Sequence, residues 1–267
     1  MNLPLFWIDA FADRVFAGNP AAVVPLESWP EDGVMQQIAF ENGLAETAFF
    51  VRTSSDRFHL RWFTPALEVD LCGHATLASA FALFMHLDQP GERVTFDSRS
   101  GPLLVTRRGS QLELDFPARP ALPITSAAVP AALFTSLRPA SPIEWLKVTT
   151  HSYYVATFNH EADVRALQPD LPAIASLGDI RLIATAPGND CDFVSRFFAP
   201  GAGVPEDPVT GSAHCTLVPH WATRLGKATL HARQVSRRGG ELHCTLAHDR
   251  VRIAGTAVLY LRGEITV

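Results

Sequence analysis

The sequence predicts an α+β fold in which a β-sheet wraps around a central helix, and this arrangement is built twice. Two mostly apolar segments, 70–84 and 207–221, each place an Asp before a tight Gly turn and then begin a helix with small residues. A helix that is apolar on nearly every face must be buried on all sides. Because β-rich sequence precedes and follows both segments, each half of the chain is expected to enclose one helix in a sheet.

A Pro-rich segment separates the two halves. Between Pro117 and Pro142 six prolines stand among Ala, Ser and Thr, and charged residues nearly vanish. Such a composition cannot continue a helix or a sheet for long. We therefore predict an N-terminal domain at 1–117, a linker at 118–142 and a C-terminal domain at 143–255. The last strand, at about 256–267, is expected to complete the N-terminal domain.

Short β-rich runs with turn signals dominate the first half. Strands are predicted at 5–10, 21–26, 47–52, 57–63, 103–107 and 112–116. The sequence Gly18-Asn19-Pro20 marks the turn between the first two strands. Apolar residues at roughly helical spacing predict a helix at 32–41, which Asn42-Gly43 would end.

The second half repeats this mixture of elements. The run 145–158 is rich in β-branched and aromatic residues, 161–167 is a short helix candidate, and 180–185 and 192–198 are strand candidates. The C-terminal run 230–267 is again typical of strands, with a turn at Gly239-Gly240.

Composition excludes several classes of partner. A net charge of -5 and a pI near 6.0 give no broad positive field, which argues against nucleic acid or an anionic membrane as a partner. The N-terminus lacks the features of a secretory signal, and the longest uncharged apolar stretch, 71–87, is too short to span a membrane. We expect a cytoplasmic protein.

No motif indicates a metal or a cofactor. The four cysteines are widely spaced without a Cys-x-x-Cys pair, which predicts reduced thiols. The sequence contains no His-Glu-x-x-His, Walker loop or Gly-x-Ser-x-Gly. His214-Cys215 and His243-Cys244 are adjacent pairs, a spacing that rarely lets both side chains reach one ion.

The two predicted helix starts have a chemical consequence. Unpaired backbone N–H groups and the positive end of the helix dipole converge at Gly73-His74 and at Gly211-Ser212, where a carboxylate would be held. Alternatively, each Gly only permits a turn, and Ser212 or Thr210 only caps a helix. The occurrence of both starts in one chain favours anion binding.

Three further side chains are candidates for catalysis. Glu46 lies at the entry to a strand among small and apolar neighbours, where poor solvation suits a carboxyl group to proton exchange near neutral pH. His74 follows Gly73 and could donate to a substrate carboxylate or relay a proton. Asp207, in extended backbone before a proline, could orient an amino or hydroxyl group. Each residue also fits a structural role when it is considered alone.

Four sequence blocks together support a family resemblance. They are IDAF with FAGNPAAVV at 8–11 and 16–24, LAETAF at 44–49, DLCGHATLA at 70–78 and EDPVTGSAH at 206–214. In this order and spacing, over nearly the whole chain, the blocks resemble the PhzF-like phenazine-biosynthesis family. The resemblance implies the diaminopimelate-epimerase-like fold, with two pseudo-symmetric domains, each a β-sheet or barrel around a central helix, and the site between them.

The resemblance also implies roles for individual residues. Glu46 matches the acid/base glutamate, and His74, Asp207 and Ser212 match polar residues that hold the substrate, so that Glu46, His74 and Asp207 form the expected catalytic set. Gly73 and Gly211 match the backbone donors. In the characterised isomerase the glutamate moves a proton between two carbons of dihydro-hydroxyanthranilate without a cofactor. We therefore expect a homodimeric, cofactor-independent and metal-free isomerase that acts on a small carboxylate-bearing substrate, an amino or hydroxy cyclic acid.

Two alternatives remain open. The first is a racemase or epimerase of the same superfamily, in which one cysteine from each half moves the α-proton and Cys72 supplies one thiol at a helix N-terminus. The corresponding turn of the second half has no cysteine, and Cys215 lies inside the helix, which argues against it. The second alternative is a non-catalytic protein that binds a carboxylate.

Overall fold

The computed structural model describes all 267 residues. The helices are α1 Asp32–Asn42, α2 Gly73–His86, α3 Ala131–Ser136, α4 Glu161–Ala166, α5 Leu171–Ala175 and α6 Gly211–Leu225. The strands are β1 Asn2–Ala10, β2 Asn19–Leu26, β3 Glu46–Arg52, β4 Arg57–Phe63, β5 Glu68–Val69, β6 Arg93–Ser98, β7 Gly101–Arg108, β8 Gln111–Pro117, β9 Leu122–Ile124, β10 Glu144–Lys147, β11 Tyr153–Thr157, β12 Arg181–Pro187, β13 Phe193–Ala199, β14 Val204–Asp207, β15 Thr229–Gln234, β16 Gly240–Ala247, β17 Arg250–Gly255 and β18 Ala257–Thr266.

The chain divides into two compact units. The first unit comprises Met1–Phe116 with Arg252–Val267, and the second unit comprises Pro117–Val251. Each unit contains one long helix among many strands, as the predicted α+β fold requires. Local sequence also predicted the end of α1, where the C-cap Gly43 adopts the left-handed conformation with φ 63°.

In the first unit, strands of both orientations surround α2. β1 pairs antiparallel with β2 and with β18, so the C-terminal strand lies beside the first strand. β2 runs parallel to β3, β3 antiparallel to β4, and β4 parallel to β6, from which β7 and β8 continue as antiparallel strands. Helix α2 packs against β1, β2, β3 and β18.

Helix α2 is buried on nearly all of its faces, as its composition predicted. Two buried hydroxyl groups of α2 are satisfied within the helix. The Thr76 hydroxyl donates to the Cys72 carbonyl at 2.5 Å, and the Ser79 hydroxyl donates to the Ala75 carbonyl at 2.7 Å. Neither hydroxyl therefore needs water.

None of the helices in the structure is both long and apolar enough to cross a bilayer.

The second unit is built around β11, β12, β13, β15 and β16. β11 and β12 are parallel, β12 and β13 antiparallel, β13 and β15 parallel, and β15 and β16 antiparallel. Helix α6 packs against β15 and β16. Trp221 of α6 stacks on Phe193 at 5.7 Å between ring centroids, and its indole N–H donates to Thr185 Oγ1 at 2.9 Å. The helix is thus held by packing and by a buried hydrogen bond.

Pro219 lies inside α6 without ending it. Proline has no N–H, so the carbonyl of Cys215, four residues earlier, loses its partner within the helix. The backbone N–H of Arg119 donates to that carbonyl at 2.9 Å. The start of the Pro-rich segment therefore supplies the hydrogen bond that the helix cannot make.

Residues 118–142, expected to be a linker, carry structure of their own. They contain β9, a 3-10 turn at Ser126–Ala128 and α3, and β9 pairs antiparallel with β10. Val129, Leu133 and Leu137 are buried in the hydrophobic core of the second unit. Prolines interrupt regular structure, but the apolar residues between them still gain free energy from burial. Residues 118–142 are therefore a structured part of the second unit and not a free linker.

Candidate active site

Glu46 and His74 lie close together in the first unit. Glu46 is the first residue of β3, which runs parallel to β2, and His74 is in the first turn of α2, which packs on both strands. Glu46 Oε2 lies 3.2 Å from His74 Nε2. The side chain of His74 is 6% exposed and that of Glu46 is 17% exposed. The pair therefore consists of a carboxylate side chain that is partly exposed to solvent and a buried imidazole in contact with it.

The other ring nitrogen of His74 also has neighbours. The Asn19 side-chain amide nitrogen lies 3.2 Å from His74 Nδ1, and Cys72 Sγ lies 3.5 Å from the same atom. An amide N–H group and a thiol both donate, so Nδ1 accepts from them when the ring of His74 is neutral, and the ring proton then lies on Nε2, toward Glu46. This assignment follows from the orientation of the Asn19 amide.

The loop before Asn19 is strained. Phe11 and Phe16 have positive φ angles of 58° and 68°, a rare conformation for bulky side chains. A Cβ atom at Gly18 would lie 2.2 Å from the Ala10 carbonyl oxygen, so this turn accepts only glycine. The buried carboxylate of Asp9 accepts a hydrogen bond from the Phe16 N–H at 2.9 Å. Conformational strain is therefore concentrated next to the residue that orients His74.

The environment shifts the pKa of both His74 and Cys72. Burial lowers the pKa of His74, but Cys72 and the Glu46 carboxylate raise it by more, so the pKa of His74 lies well above its usual value. Burial and the nearby Glu46 charge raise the pKa of the Cys72 thiol, despite its place at the start of α2. The Cys72 thiol is therefore harder to ionise than a thiol in water.

The donor atoms of Glu46, Cys72 and His74 lie within 4.8 Å of one another, close enough to hold a metal ion. The present contacts use both ring nitrogens of His74, Nδ1 toward Cys72 and Nε2 toward Glu46. An ion bound by one nitrogen would replace the contact at that nitrogen. The arrangement in the structure is thus a carboxylate and an imidazole in ion-pair contact, with a thiol beside them.

In the second unit, Gln234 locks the turn that precedes α6. Its side-chain oxygen accepts from the Thr210 N–H at 2.9 Å, and its amide nitrogen donates to the Asp207 carbonyl at 2.6 Å. The Thr210 hydroxyl donates to Asp207 Oδ2 at 2.5 Å. Because this hydroxyl points to Asp207, neither Thr210 nor any other side chain caps α6. The alternative that Thr210 only caps the helix is wrong.

Ser212 is connected to Arg181 through Tyr153. An Arg181 N–H donates to the Tyr153 hydroxyl at 3.1 Å, and that hydroxyl lies 3.1 Å from Ser212 Oγ. Arginine has no acceptor, so the Tyr153 oxygen accepts from Arg181. This arrangement favours Tyr153 as the donor to Ser212 Oγ, which leaves the proton of Ser212 for another acceptor. The chain suits Ser212 to donate to an anion.

The surroundings of Tyr153 are positive. Burial lowers the pKa of His151, whose ring lies 5.9 Å from that of Tyr153, and the charges of Arg119 and Arg181 lower it further. Burial lowers the pKa of Arg181, but Tyr153 and Asp179 raise it by more, so Arg181 stays charged. Positive charge at this position favours a bound carboxylate.

His214 and Cys215 belong to the core of the second unit. His214 Nδ1 lies 2.8 Å from the Thr210 carbonyl, and burial lowers the pKa of His214 to about 4. Burial raises the pKa of Cys215 to about 12. Both are therefore neutral structural residues.

The structure brings together some of the residues that the sequence singled out. Glu46, His74 and Gly73 lie together in the first unit, and Asp207, Gly211 and Ser212 lie together in the second. The sequence alone assigned no role in the site to Asn19, Tyr153, Arg181 or Gln234. Asn19 had a signal, since it lies in the quoted block 16–24, whereas Tyr153, Arg181 and Gln234 lie in ordinary strand sequence.

Solved structures define the class of fold. A crystal structure of a PhzF family protein from Enterococcus faecalis matches with a TM-score of 0.93 and 43% identity, covering 100% of both chains. A hydroxyproline epimerase from Agrobacterium vitis matches with a TM-score of 0.61 and 10% identity, over 99% of this chain and 92% of its own. The fold is the α+β, diaminopimelate-epimerase-like fold, as predicted.

The family model for phenazine biosynthesis-like proteins, PhzC-PhzF, matches residues 8–263. The chain belongs to this family. An isomerase of Pseudomonas aeruginosa, described as uncharacterized, is 50% identical over 266 residues, which cover 99% of each chain. The predicted membership is thus confirmed, and the relatives support isomerase activity in general.

Proposed function

We propose that the protein is a cofactor-independent isomerase that moves a proton between two carbons of a small carboxylate-bearing cyclic amino or hydroxy acid. Glu46 is the acid/base. The observation that carries this proposal is the contact of 3.2 Å between Glu46 and the buried His74, which fixes a carboxylate while leaving it 17% exposed. A carboxylate that is fixed but accessible can reach a bound ligand.

The proposed reaction is a proton transfer in two steps. The Glu46 carboxylate takes a proton from an activated C–H bond, and the electron pair of that bond enters the conjugated system of the substrate. The resulting carboxylic acid returns the proton to another carbon, where a new C–H bond forms. No electron leaves the substrate, so the reaction needs no redox partner. His74 Nε2–H holds Glu46 in place and stabilises its charged form before and after the transfer.

Each helix start, taken by itself, is proposed as a place where a substrate carboxylate can bind. Neither α2 nor α6 has a side-chain cap, and Gly73 and Gly211 present backbone N–H groups without an obstructing side chain. The hydrogen-bonded chain from Arg181 through Tyr153 makes Ser212 a donor for the same type of group. Asp207, fixed by Thr210, is proposed to orient the amino or hydroxyl substituent of the substrate.

One observation favours a second candidate, a thiol-dependent racemase or epimerase. Cys72 lies 3.5 Å from His74 Nδ1, which could accept its proton. Two observations support the Glu46 reaction instead. The pKa of the Cys72 thiol is raised. In addition, the N-cap of α2 is Cys72, whereas the N-cap of α6 is Thr210, which has no thiol. A racemase of this type needs one thiol from each half.

The test is hydrogen exchange with solvent. The protein is incubated in heavy water with dihydro-hydroxyanthranilate and with a panel of cyclic amino and hydroxy acids. We expect deuterium on a ring carbon of the substrate, retained in Cys72→Ala. Exchange that is lost in Cys72→Ala but retained in Glu46→Gln would establish the racemase. Binding without exchange for every compound bound would establish a non-catalytic binding protein.

A further inference from the structure

Two histidines and a glutamate share one face of a strand pair in the second unit. In the antiparallel pair of β15 and β16, His231 lies opposite His243 and Arg233 lies opposite Glu241. Alternate residues of a strand point to the same face, so all four side chains lie on one side of this pair. The buried residues Leu230, Ala232, Leu242 and Cys244 occupy the other side. The register therefore groups nitrogen and oxygen donors on the outer face.

The donor atoms lie close together. The atoms of His231, Glu241 and His243 that can bind a metal lie within 4.8 Å of one another, and His231 Nε2 lies 3.8 Å from Glu241 Oε1. The two imidazole rings are stacked, with centroids 5.0 Å apart and an angle of 12° between the planes. His231 Nε2 is buried and has no hydrogen-bond partner. A nitrogen lone pair or N–H group is thus unused at the centre of the group.

We propose that His231, His243 and Glu241 form a surface site for a divalent late transition-metal ion such as Zn²⁺. Tetrahedral Zn²⁺ with bonds of about 2.0 to 2.1 Å requires donor atoms that are about 3.3 Å apart. The distance of 3.8 Å between His231 Nε2 and Glu241 Oε1 exceeds this value by about 0.5 Å. Rotation of partly exposed side chains can supply that movement.

The donor set selects the kind of ion. Two imidazoles and one carboxylate suit Zn²⁺, Ni²⁺ and Cu²⁺, whereas Ca²⁺ and Mg²⁺ prefer oxygen donors alone. Cys244 follows His243 in the sequence but is fully buried on the opposite face, so it cannot join the site. The site uses the histidine on the neighbouring strand instead of the adjacent cysteine.

Arg233 competes with the ion. Its guanidinium donates to Glu241 Oε1 at 2.7 Å through Nε, and its NH2 group lies 2.6 Å from the same oxygen. Both contacts use Oε1, the oxygen that lies 3.8 Å from His231 Nε2, so an ion must either displace Arg233 from Oε1 or bind Glu241 through Oε2. The positive charge of Arg233 weakens metal binding in either case. Its removal is therefore an informative variant.

The experiment is a titration of the full-length, tag-free protein with Zn²⁺ after treatment with chelator, followed by calorimetry. We expect one ion at this site. His231→Phe and His243→Phe retain the stacked rings and remove the donor nitrogens, so each should lower the affinity at least about tenfold. Glu241→Gln should lower the affinity less, and Arg233→Gln should raise it several-fold. His248→Asn, at an exposed histidine outside the group, should leave the affinity unchanged.

Thermal unfolding supplies an independent readout. Zn²⁺ should raise the Tm of the wild type and of His248→Asn, and not that of the double variant His231→Phe/His243→Phe. Absence of binding by the wild type at 1 mM Zn²⁺, roughly the weakest affinity of interest, would overturn the proposal. So would binding that persists in the double variant and is lost in Cys72→Ser, since the ion would then bind at Glu46, Cys72 and His74.

Discussion

The starts of α2 and α6 use the same backbone for different chemistry. In both, the N-cap residue is extended, with φ and ψ of −144° and 113° at Cys72 and of −120° and 101° at Thr210. A glycine follows, and no side chain caps either helix. After the glycine, α2 has His74 beside the carboxylate of Glu46, whereas α6 has Ser212 linked to Tyr153 and Arg181. One start has a pair that can exchange a proton, and the other has donors that remain fixed.

The buried histidines of the two helices show how the environment sets chemistry. His74 and His214 are both nearly inaccessible to solvent. The pKa of His74 is raised because Cys72 and Glu46 outweigh the effect of burial, while the pKa of His214 is lowered to about 4 because only a backbone carbonyl opposes burial. The side chains of Cys72 and Glu46 therefore separate a candidate catalytic histidine from a structural one.

The largest expected effect of a substitution is at Glu46. Glu46→Gln keeps the size of the side chain and removes its basicity, so turnover should fall by about 10²- to 10⁴-fold while substrate binding changes little. Deuterium exchange in heavy water and calorimetric titration of the same substrate measure the two quantities separately. Glu41→Gln, at an exposed position of α1, is the control and should retain full turnover. A variant at Glu46 that turns over normally would contradict the proposed function.

Next in size is the pH dependence of stability at the two histidines. The folded pKa of His214 is depressed, so its contribution is present above pH 6.5 and is lost as the pH falls toward 4. The difference between the folded pKa of about 4 and the usual value of 6.5 corresponds to about 3 kcal/mol in the free energy of unfolding. The folded pKa of His74 is raised, so its contribution is present below pH 6.5 and is lost as the pH rises through the folded pKa.

Denaturant unfolding from pH 4 to pH 9 measures both contributions. The wild type should lose its stability advantage over His214→Asn toward acid pH, and over His74→Gln toward alkaline pH. His214→Asn retains a side-chain nitrogen near the position of Nδ1, and His74→Gln retains one near the position of Nε2. Because each advantage is a difference from the wild type, groups that titrate alike in both proteins cancel. If both stability advantages changed in the same direction with pH, the proposed difference between the two histidines would be wrong.

Removal of the Asn19 amide should have an intermediate effect. Asn19→Leu leaves the Nδ1 side of His74 without its amide donor, so the ring can exchange the position of its proton. We expect turnover to fall about tenfold, equivalent to about 1.4 kcal/mol, with little change in KM. Its pH profile should also shift, which a purely structural role of Asn19 would not produce. An unchanged profile would assign Asn19 to the loop alone.

The smallest effect is expected at Tyr153. Tyr153→Phe interrupts the chain from Arg181 to Ser212 and should raise KM about fivefold, the equivalent of about 1 kcal/mol, without changing kcat. Tyr154→Phe is the matched control because this neighbour points to the opposite face of β11, into the core. A loss of kcat in Tyr153→Phe would show that Tyr153 does more than prepare Ser212 to bind.

The elements that the sequence predicted well depend on local chemistry. Gly43 ends α1 because glycine accepts a left-handed conformation, and α2 is buried because no face of it is polar. The Pro-rich segment at 118–142 was predicted to be a linker, but its structure depends on contacts that are distant in sequence. Its prolines signal interruption locally, but burial of Leu133 and a hydrogen bond from Arg119 to α6 depend on residues far along the chain.

The sequence by itself determined the two glycine helix starts, the candidate acid/base Glu46 and the family, since all of these are carried by short contiguous blocks. Only the tertiary structure decided which side chains act together. Tyr153 reaches Ser212 across 59 residues of sequence, and His231 faces His243 through the register of two strands. Strand pairing and register are fixed by burial of the whole sheet, so residues that are distant in sequence become neighbours only when the core forms.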